Sequence, residues 1–261
     1  MQIAVIGGHG FIGNALATYL SGAGHMCSRI GRSDPLPEGP VYVLLDCNGE
    51  GRRFWANENP EENYVRSVAS VEARLNAVSC DVYLYLSTVD VYGEGRGALE
   101  FSRENAEIDI DAIDTYARHK VMAEKMVLDH AAWPLVIRCA TLIGPGLRKN
   151  PVFDLLNDQP LRMTEESTLS LLHTSTLGRA IEVLLASGDR GTFNVAASAP
   201  IGIPALKKMI ADKRGIDPAA FPEHEEKITT RYDVNVDKIS ARLEMPASEA
   251  ALRMYLDLDA V

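Results

Sequence analysis

Several ingredients are scarce in this 261-residue sequence, and each shortage excludes something. Cysteine occurs four times, as Cys27, Cys47, Cys80 and Cys139, widely spaced and without a CxxC pair. That excludes a disulfide scaffold or zinc knuckle and leaves reduced thiols in a cytoplasmic protein as the expectation. Basic residues are outnumbered, 26 Lys and Arg against 36 Asp and Glu, for a formal net charge of −10. No long basic stretch exists to neutralise a nucleic-acid backbone or dock on anionic lipid, so neither partner is expected. No run approaches the roughly 18 apolar residues of a membrane span. The opening "MQIAVI" is too short for a signal segment and turns directly into glycines. His9, His25, His130 and His224 show no metal-ligand spacing with acids or cysteines, so no metal is expected.

What is present is an alternation. β-rich runs lie at 2–6, 26–30, 41–45, 82–86, 135–139 and 192–195, apolar almost throughout, as strands covered on both faces are. Between them Ile12, Ala15, Leu16, Tyr19 and Leu20 follow an amphipathic-helix spacing, and residues 61–78 and 115–130 form longer helical stretches. The expected fold is α/β, a doubly wound parallel Rossmann-type sheet. After about residue 197 the alternation stops. A small, mostly helical C-terminal lobe is expected from 146–172 plus 198–261, with 1–145 plus 173–197 as the sheet domain.

The first strand runs into "GGHGFIG", which places Gly7, Gly10 and Gly13 before a helix. Glycine there lets the backbone turn tightly and lets a pyrophosphate approach the positive helix end, including the amides of Phe11 and Ile12. A ribose-binding acid would stand about 20 residues on. The chain instead has "RIGRS", with Gly31 at that point followed by Arg32 and Ser33. A cation and a hydroxyl suit a 2′-phosphate, so NADP is preferred to NAD. The alternatives are that Arg32 is a solvated loop charge or that Asp34 supplies the missing carboxylate.

The strand at 82–86 leads into "STVDVYG", from Ser87 to Gly93, and "YARHK" follows at 116–120. With the glycine turn, these motifs resemble the extended short-chain dehydrogenase/reductase family, in its nucleotide-sugar epimerase/dehydratase branch. "VIRCATLIGPG" at 136–146, "LLHTSTLGRAI" at 171–181 and "GTFNVAAS" at 191–198 extend the resemblance over nearly the whole chain. The resemblance implies that Tyr116 exchanges the proton at the reacting oxygen, that Thr88 hydrogen-bonds that oxygen, and that Lys120 holds the nicotinamide ribose. A free phenol titrates near pH ~10. Lys120, one turn along, is expected to lower that value by its charge. The resemblance also assigns Ser87 and Cys139 to cofactor contact, and Asp90, Thr141, Asn150 and His173 to the substrate side. Asp90 is equally readable as a turn or capping residue. His119 points about 100° away from Lys120 on the helix and is read as structural or surface.

Departures from the family pattern narrow the expectation. Val89 stands where dehydratases carry an acid, which disfavours a 4,6-dehydratase. Ser67 replaces a common Asn, and Thr141 and Ile143 replace an Asn and a Tyr. The short link "GRSDPLPEGP" leaves out a strand-helix unit after the second strand, so the adenine is expected to be more exposed. Together these favour an NAD(P)-dependent ketoreductase acting on a sugar or nucleotide-sugar. The alternatives are a 4-epimerase with tightly bound NAD and, from another class, a non-catalytic NADP-sensing regulator. A homodimer through the 61–78 and 115–130 helices is a family-level expectation.

Overall fold

The computed structural model describes residues 1–258; positions 259–261 of the expected lobe lie outside the described residues. The chain opens with β1 (Gln2–Ile6), α1 (Phe11–Gly22), β2 (Met26–Ile30) and β3 (Val41–Asp46). Next come α2 (Arg53–Glu58) and α3 (Pro60–Tyr64), which continues through a π-helical turn at Val65–Ala69 into α4 (Ser70–Ala77). β4 (Cys80–Thr88), α5 (Thr115–His130) and β5 (Pro134–Cys139) follow. The rest comprises β6 (Thr141–Ile143), α6 (Pro151–Leu156), β7 (Leu161–Met163), β8 (Thr168–Leu169), β9 (Leu171–His173) and α7 (Thr174–Ser187). It ends with β10 (Gly191–Val195), β11 (Ile201–Gly202), α8 (Ile203–Arg214), β12 (Glu223–Ile228), α9 (Asp237–Ser240) and α10 (Ser248–Leu258).

The central sheet has six strands in the order β10-β5-β4-β3-β1-β2, and each adjacent pair is parallel. These are the six runs read from the sequence. The chain steps outward from β1 to β2 and then returns to the other side of β1 with β3. That reversal is a topological switch point, where α/β sheets open a ligand crevice at the carboxyl ends of their strands. β2 is an edge strand, in keeping with a missing strand-helix unit.

Period-two alternation explains the layering. In β1, Ile3 and Val5 face a core shared with Leu16 and Leu20 of α1 and Leu177 and Ile181 of α7, while Ala4 and Ile6 face Val71 of α4 and Val127 of α5. A second core gathers Val152, Leu155, Leu206, Ile210, Leu252 and Tyr255 around the lobe helices. Beside these helices the C-terminal part holds strand pairs β7 with β12, β8 with β11 and β6 with β9. β12 escapes sequence reading because "EHEEKI" is charged and almost wholly exposed. Among the described residues no helix is long and apolar enough to cross a membrane.

A buried polar network fixes the segment after β4. Arg138 of β5 pairs with Glu124 of α5 (Nη2 to Oε2, 2.7 Å) and donates to the Tyr92 hydroxyl (2.8 Å). Tyr92 donates in turn to Asn194 of β10 (2.8 Å), whose amide reaches the Ser102 and Asn235 carbonyls. Every member has partners, as buried polar groups require.

Candidate active site

The glycine turn sits where β1 meets α1. Gly7 has φ +71°, a left-handed angle that glycine adopts without penalty. A Cβ on Gly13 would overlap the Gly7 carbonyl oxygen and lie 2.8 Å from its carbon, so the helix packs against the turn only because that side chain is absent. Gly10 caps α1 with no side-chain hydrogen bond, which leaves the amides of the first turn, Phe11 and Ile12 among them, directed outward from a positive helix end. Beside the turn lies a cavity of about 340 Å³ lined by Gly7, Gly31, Arg32, Asp34, Arg66 and Arg74 among others. Arg74 is tied to Asp46 (2.7 Å) and Arg66 to Glu50 (3.2 Å) and Glu62. Arg32, exposed, makes no hydrogen bond or ion pair among the described residues. Asp34 is partly occupied, accepting from the Gly31 amide (2.7 Å), with His9 at 3.6 Å. Ser33 is exposed and is not among the lining residues.

At the carboxyl end of β4 the structure brings Thr88 and Tyr116 near enough for the hydroxyl of one to bear on the phenol of the other, both buried. Thr88 stands beside Cys139 as its register partner in β5. Lys120, buried one turn along α5, donates to the Leu86 carbonyl (3.0 Å) and lies 4.9 Å from the centre of the Tyr85 ring. It also sits 3.4 Å from where a Gly49 Cβ would be. Ser87 Oγ, between these positions, is buried and has no hydrogen-bond partner among the described residues. An open helix end, a glycine-lined crevice and this orphaned hydroxyl fit a dinucleotide.

The electrostatics depart from the sequence expectation. Burial pushes the Tyr116 phenol above its ordinary value and the Asp90 carboxylate pushes it further, while the Thr88 hydrogen bond and the Arg53 charge oppose them. Removing a phenolate from water costs more than the nearby positive charge of Arg53 recovers. Burial also lowers Lys120, against the charges of Asp46, Cys139, Glu124 and Cys47. Cys139 is pushed up to about 12 by burial, which Lys120 partly offsets.

Sequence reading missed several neighbours. Asp114 caps α5 by accepting from the Ala117 amide (2.9 Å). Asn57 accepts from the Tyr116 amide (2.9 Å) and donates to Asp114 (3.1 Å). Arg53 pairs with Asp114 and lies 3.7 Å from Asp90. Tyr232 donates its hydroxyl to Asp90 Oδ1 (2.7 Å), while Thr88 donates to Asp90 Oδ2 (3.2 Å). An Asp two residues before a tyrosine that opens a helix is a capping signal, so Asp114 was findable. Arg53, Asn57 and Tyr232 carried no such pattern.

The remaining expected residues are placed as follows. Asn150 has φ +136°, caps α6 by accepting from the Phe153 amide (3.0 Å) and donates to the Leu142 carbonyl (2.9 Å). His173 accepts from the Ser175 amide (3.2 Å) at the start of α7, with the Ser175 hydroxyl at 2.6 Å. Thr141, half-buried, opens β6 with its amide on the Ser170 carbonyl (3.0 Å). His119 is buried, with Nδ1 2.7 Å from Asn63 Nδ2 and its ring edge-on to Tyr64. All four cysteines are free, and Cys139 alone of them is fully buried.

Residues 37–156 match the model of the NAD dependent epimerase/dehydratase family. Over this stretch, somewhat less than half of its length, the chain is similar to that family. The matched region runs from the approach to β3 through α6 and includes Thr88, Tyr116 and Lys120, and the resemblance carried by the three motifs is borne out. No curated protein sequence matches the chain. Among solved structures, an NAD-dependent NDP-hexosamine 5,6-dehydratase, TunA, involved in tunicamycin biosynthesis, superposes with a TM-score of 0.83 at 18% identity, covering 98% of this chain and 97% of that one. The UDP-glucuronic acid 4-epimerase of Bacillus cereus, in complex with UDP-glucuronic acid and NAD, gives 0.79 at 16% identity, with 98% of both chains covered. A dTDP-4-dehydrorhamnose reductase ortholog from Clostridium acetobutylicum gives 0.78 at 17% identity, with 99% of both covered. These epimerase/dehydratase-type neighbours share the six-stranded Rossmann-like fold and carry out three different reactions by name.

Proposed function

We propose that the protein is an NAD(P)-dependent oxidoreductase that passes a hydride between a nicotinamide and a hydroxyl or keto group of a nucleotide-linked sugar, as a ketoreductase. The observation that supports this reading is the burial of Thr88 and Tyr116 side by side at the sheet's carboxyl edge, with Lys120 one turn on, donating to the Leu86 carbonyl. The nicotinamide would supply the hydride donor or acceptor. Around it, Tyr116 exchanges a proton with the substrate oxygen and Thr88 donates a hydrogen bond to that oxygen. Lys120 orients the ribose, Ser87 Oγ gains its missing partner, and the open end of α1 faces the pyrophosphate. NADP is the proposed cofactor because Arg32 is the unpaired cation among the three arginines of the adenine-side cavity. The sugar would lie toward Asp90, Thr141, Asn150 and His173, between the sheet domain (1–145 plus 173–197) and the lobe (146–172 plus the described part of 198–261). A cytoplasmic setting, supported by the four free thiols, and a homodimer through the helical segments 61–78 and 115–130 belong to the same proposal.

The test is Tyr116→Phe assayed on UDP- and dTDP-linked sugars with NADH and NADPH, following nicotinamide absorbance. Turnover should fall by about 10²–10⁴-fold, the range of a lost general acid–base, with dinucleotide binding retained. Unchanged turnover overturns the mechanism. Substrate conversion without net nicotinamide consumption would replace the reductase by a 4-epimerase. Dinucleotide binding with no turnover across the panel would leave a cofactor-sensing protein.

A further inference from the structure

The short helix α2 is unaccounted for by the site so far, yet two of its side chains converge on the start of α5. Asn57 holds both the Tyr116 amide and Asp114. Arg53, one turn earlier on α2, donates its Nε–H to the same Asp114 oxygen. Its Nη1 lies 3.7 Å from Asp90, which takes hydrogen bonds from Thr88 and Tyr232. The Arg53 side chain is 36% exposed and reaches both carboxylates.

Resting on the reading of Tyr116 as proton donor and acceptor, we propose that Arg53 is a positioning residue for the Tyr116–Thr88 pair. Shared between Asp114 and Asp90, its guanidinium fixes the entry of the catalytic helix and offsets the carboxylate beside the two hydroxyls. Asp90 works against any step in which Tyr116 becomes a phenolate, since like charges in a buried setting repel strongly. A neutral residue at position 53 would leave that repulsion less opposed. A planar fork suits the task because it meets two carboxylates at once from one side chain. Other groups bear on the same phenol. Arg96 lies 3.8 Å from Asp90 and shares in its neutralisation, with its guanidinium 5.0 Å from the Tyr232 ring centre. Cys139 faces the site from β5, Tyr85 from β4, and Lys120 lies on the phenol's own helix. Because Arg96 remains, loss of Arg53 gives a partial effect, about one pH unit where a sole charge partner gives 1–3.

The sign follows directly. Arg53→Gln raises the acidity constant's pH position for Tyr116, so alcohol oxidation, which needs the phenolate, has its rising limb displaced upward by about one pH unit. Carbonyl reduction, which needs the phenol, keeps its rate to higher pH. Arg53→Lys retains the charge and should keep the limb near its parent position. Adding Asp90→Asn to Arg53→Gln should bring the limb back, because the charge that Arg53 opposes is then gone. Asn57→Ala, which loses hydrogen bonds to the same helix start but no charge, should lower the melting temperature and leave the limb in place. A turnover-free readout comes from phenolate absorbance, taken as the difference between each variant and its Tyr116→Phe counterpart. If Tyr116→Phe abolishes turnover but Arg53→Gln leaves both the limb and the phenolate titration unmoved, the role of Arg53 is overturned while that of Tyr116 stands. If Tyr116→Phe keeps turnover, the reading of Tyr116 falls first, and an unshifted titration in Arg53→Gln then overturns the electrostatic role as well.

Discussion

Gly13 and Gly22 lie in the same helix, α1, and the same substitution should act on them with opposite signs. Alanine is preferred to glycine in a helix by about 1 kcal/mol. At Gly22 nothing lies within 4 Å of the added carbon, so Gly22→Ala should be neutral or stabilising by up to about that amount. At Gly13 the carbon would overlap the Gly7 carbonyl oxygen, lie 2.8 Å from the carbonyl carbon and 3.0 Å from Gly8 Cα. All three are backbone atoms, so no side chain can swing aside. Overpacking of this kind costs about 1–3 kcal/mol. Set against the helix gain, Gly13→Ala should be destabilising by up to about 2 kcal/mol. At roughly 2–4 °C per kcal/mol for a domain of this size, the melting temperature should drop by several degrees. Relief requires the turn to move away from the open end of α1, and dinucleotide binding should weaken at least about tenfold, since 1.4 kcal/mol of lost contact suffices. Thermal unfolding with and without NADPH reads both effects, because a ligand of the folded state raises the transition in proportion to its affinity. A Gly13→Ala protein that melts with the parent and gains the same shift from NADPH would refute the assignment of the turn.

The buried pair of Arg138 and Glu124 gives a second prediction. Glu124→Ala leaves the guanidinium enclosed with the Tyr92 hydroxyl as its remaining partner, and should cost about 3–5 kcal/mol in denaturant unfolding. Glu50 gives a third. Burial raises its carboxyl, but the hydrogen bonds and charge of Arg52, with Lys149, outweigh burial and hold it at about 2, below its ordinary 4.5. Its folded value is depressed, so its stabilisation is complete above the unfolded value and is lost as pH falls from about 5 toward 2. Glu50→Gln should be less stable than the parent at pH 7 and nearly level with it at pH 2, as read by urea midpoints across that range.

The sheet was legible because buried parallel strands are written as uninterrupted apolar runs. The run at 2–6 is β1 in full, and those at 41–45 and 82–86 lie inside β3 and β4. The stretch 61–78 was legible as helix, but its π-helical turn at Val65–Ala69 was not, since a one-residue change in hydrogen-bond register leaves the apolar period nearly intact. Thr88, Tyr116 and Lys120 carry their spacing on single elements and could be picked out before any coordinates. Arg53, Asn57 and Tyr232 could not. Their partners are 57 to 142 residues away, and charged or amide side chains on a six-residue helix and a loop follow no period that points at a partner.

Two of the buried carboxylates oppose the effect of burial on Lys120. Asp46 is committed to Arg74 (2.7 Å) and Tyr83 (2.7 Å), and Glu124 to Arg138, so each is already compensated by partners that are themselves buried. Both nevertheless raise Lys120, opposing the desolvation that lowers it. A neutral, well-packed replacement of such pairs often costs a protein nothing in stability. Their place here, Asp46 on the strand next to β4 and Glu124 on the helix that carries Lys120, is better accounted for by the field they set at Lys120. A double replacement of Glu124 and Arg138 by apolar residues of similar volume should then spare folding while lowering the lysine's pKa. The Coulomb reason is direct: Glu124 is one of the charges that raise Lys120, and the replacement removes it.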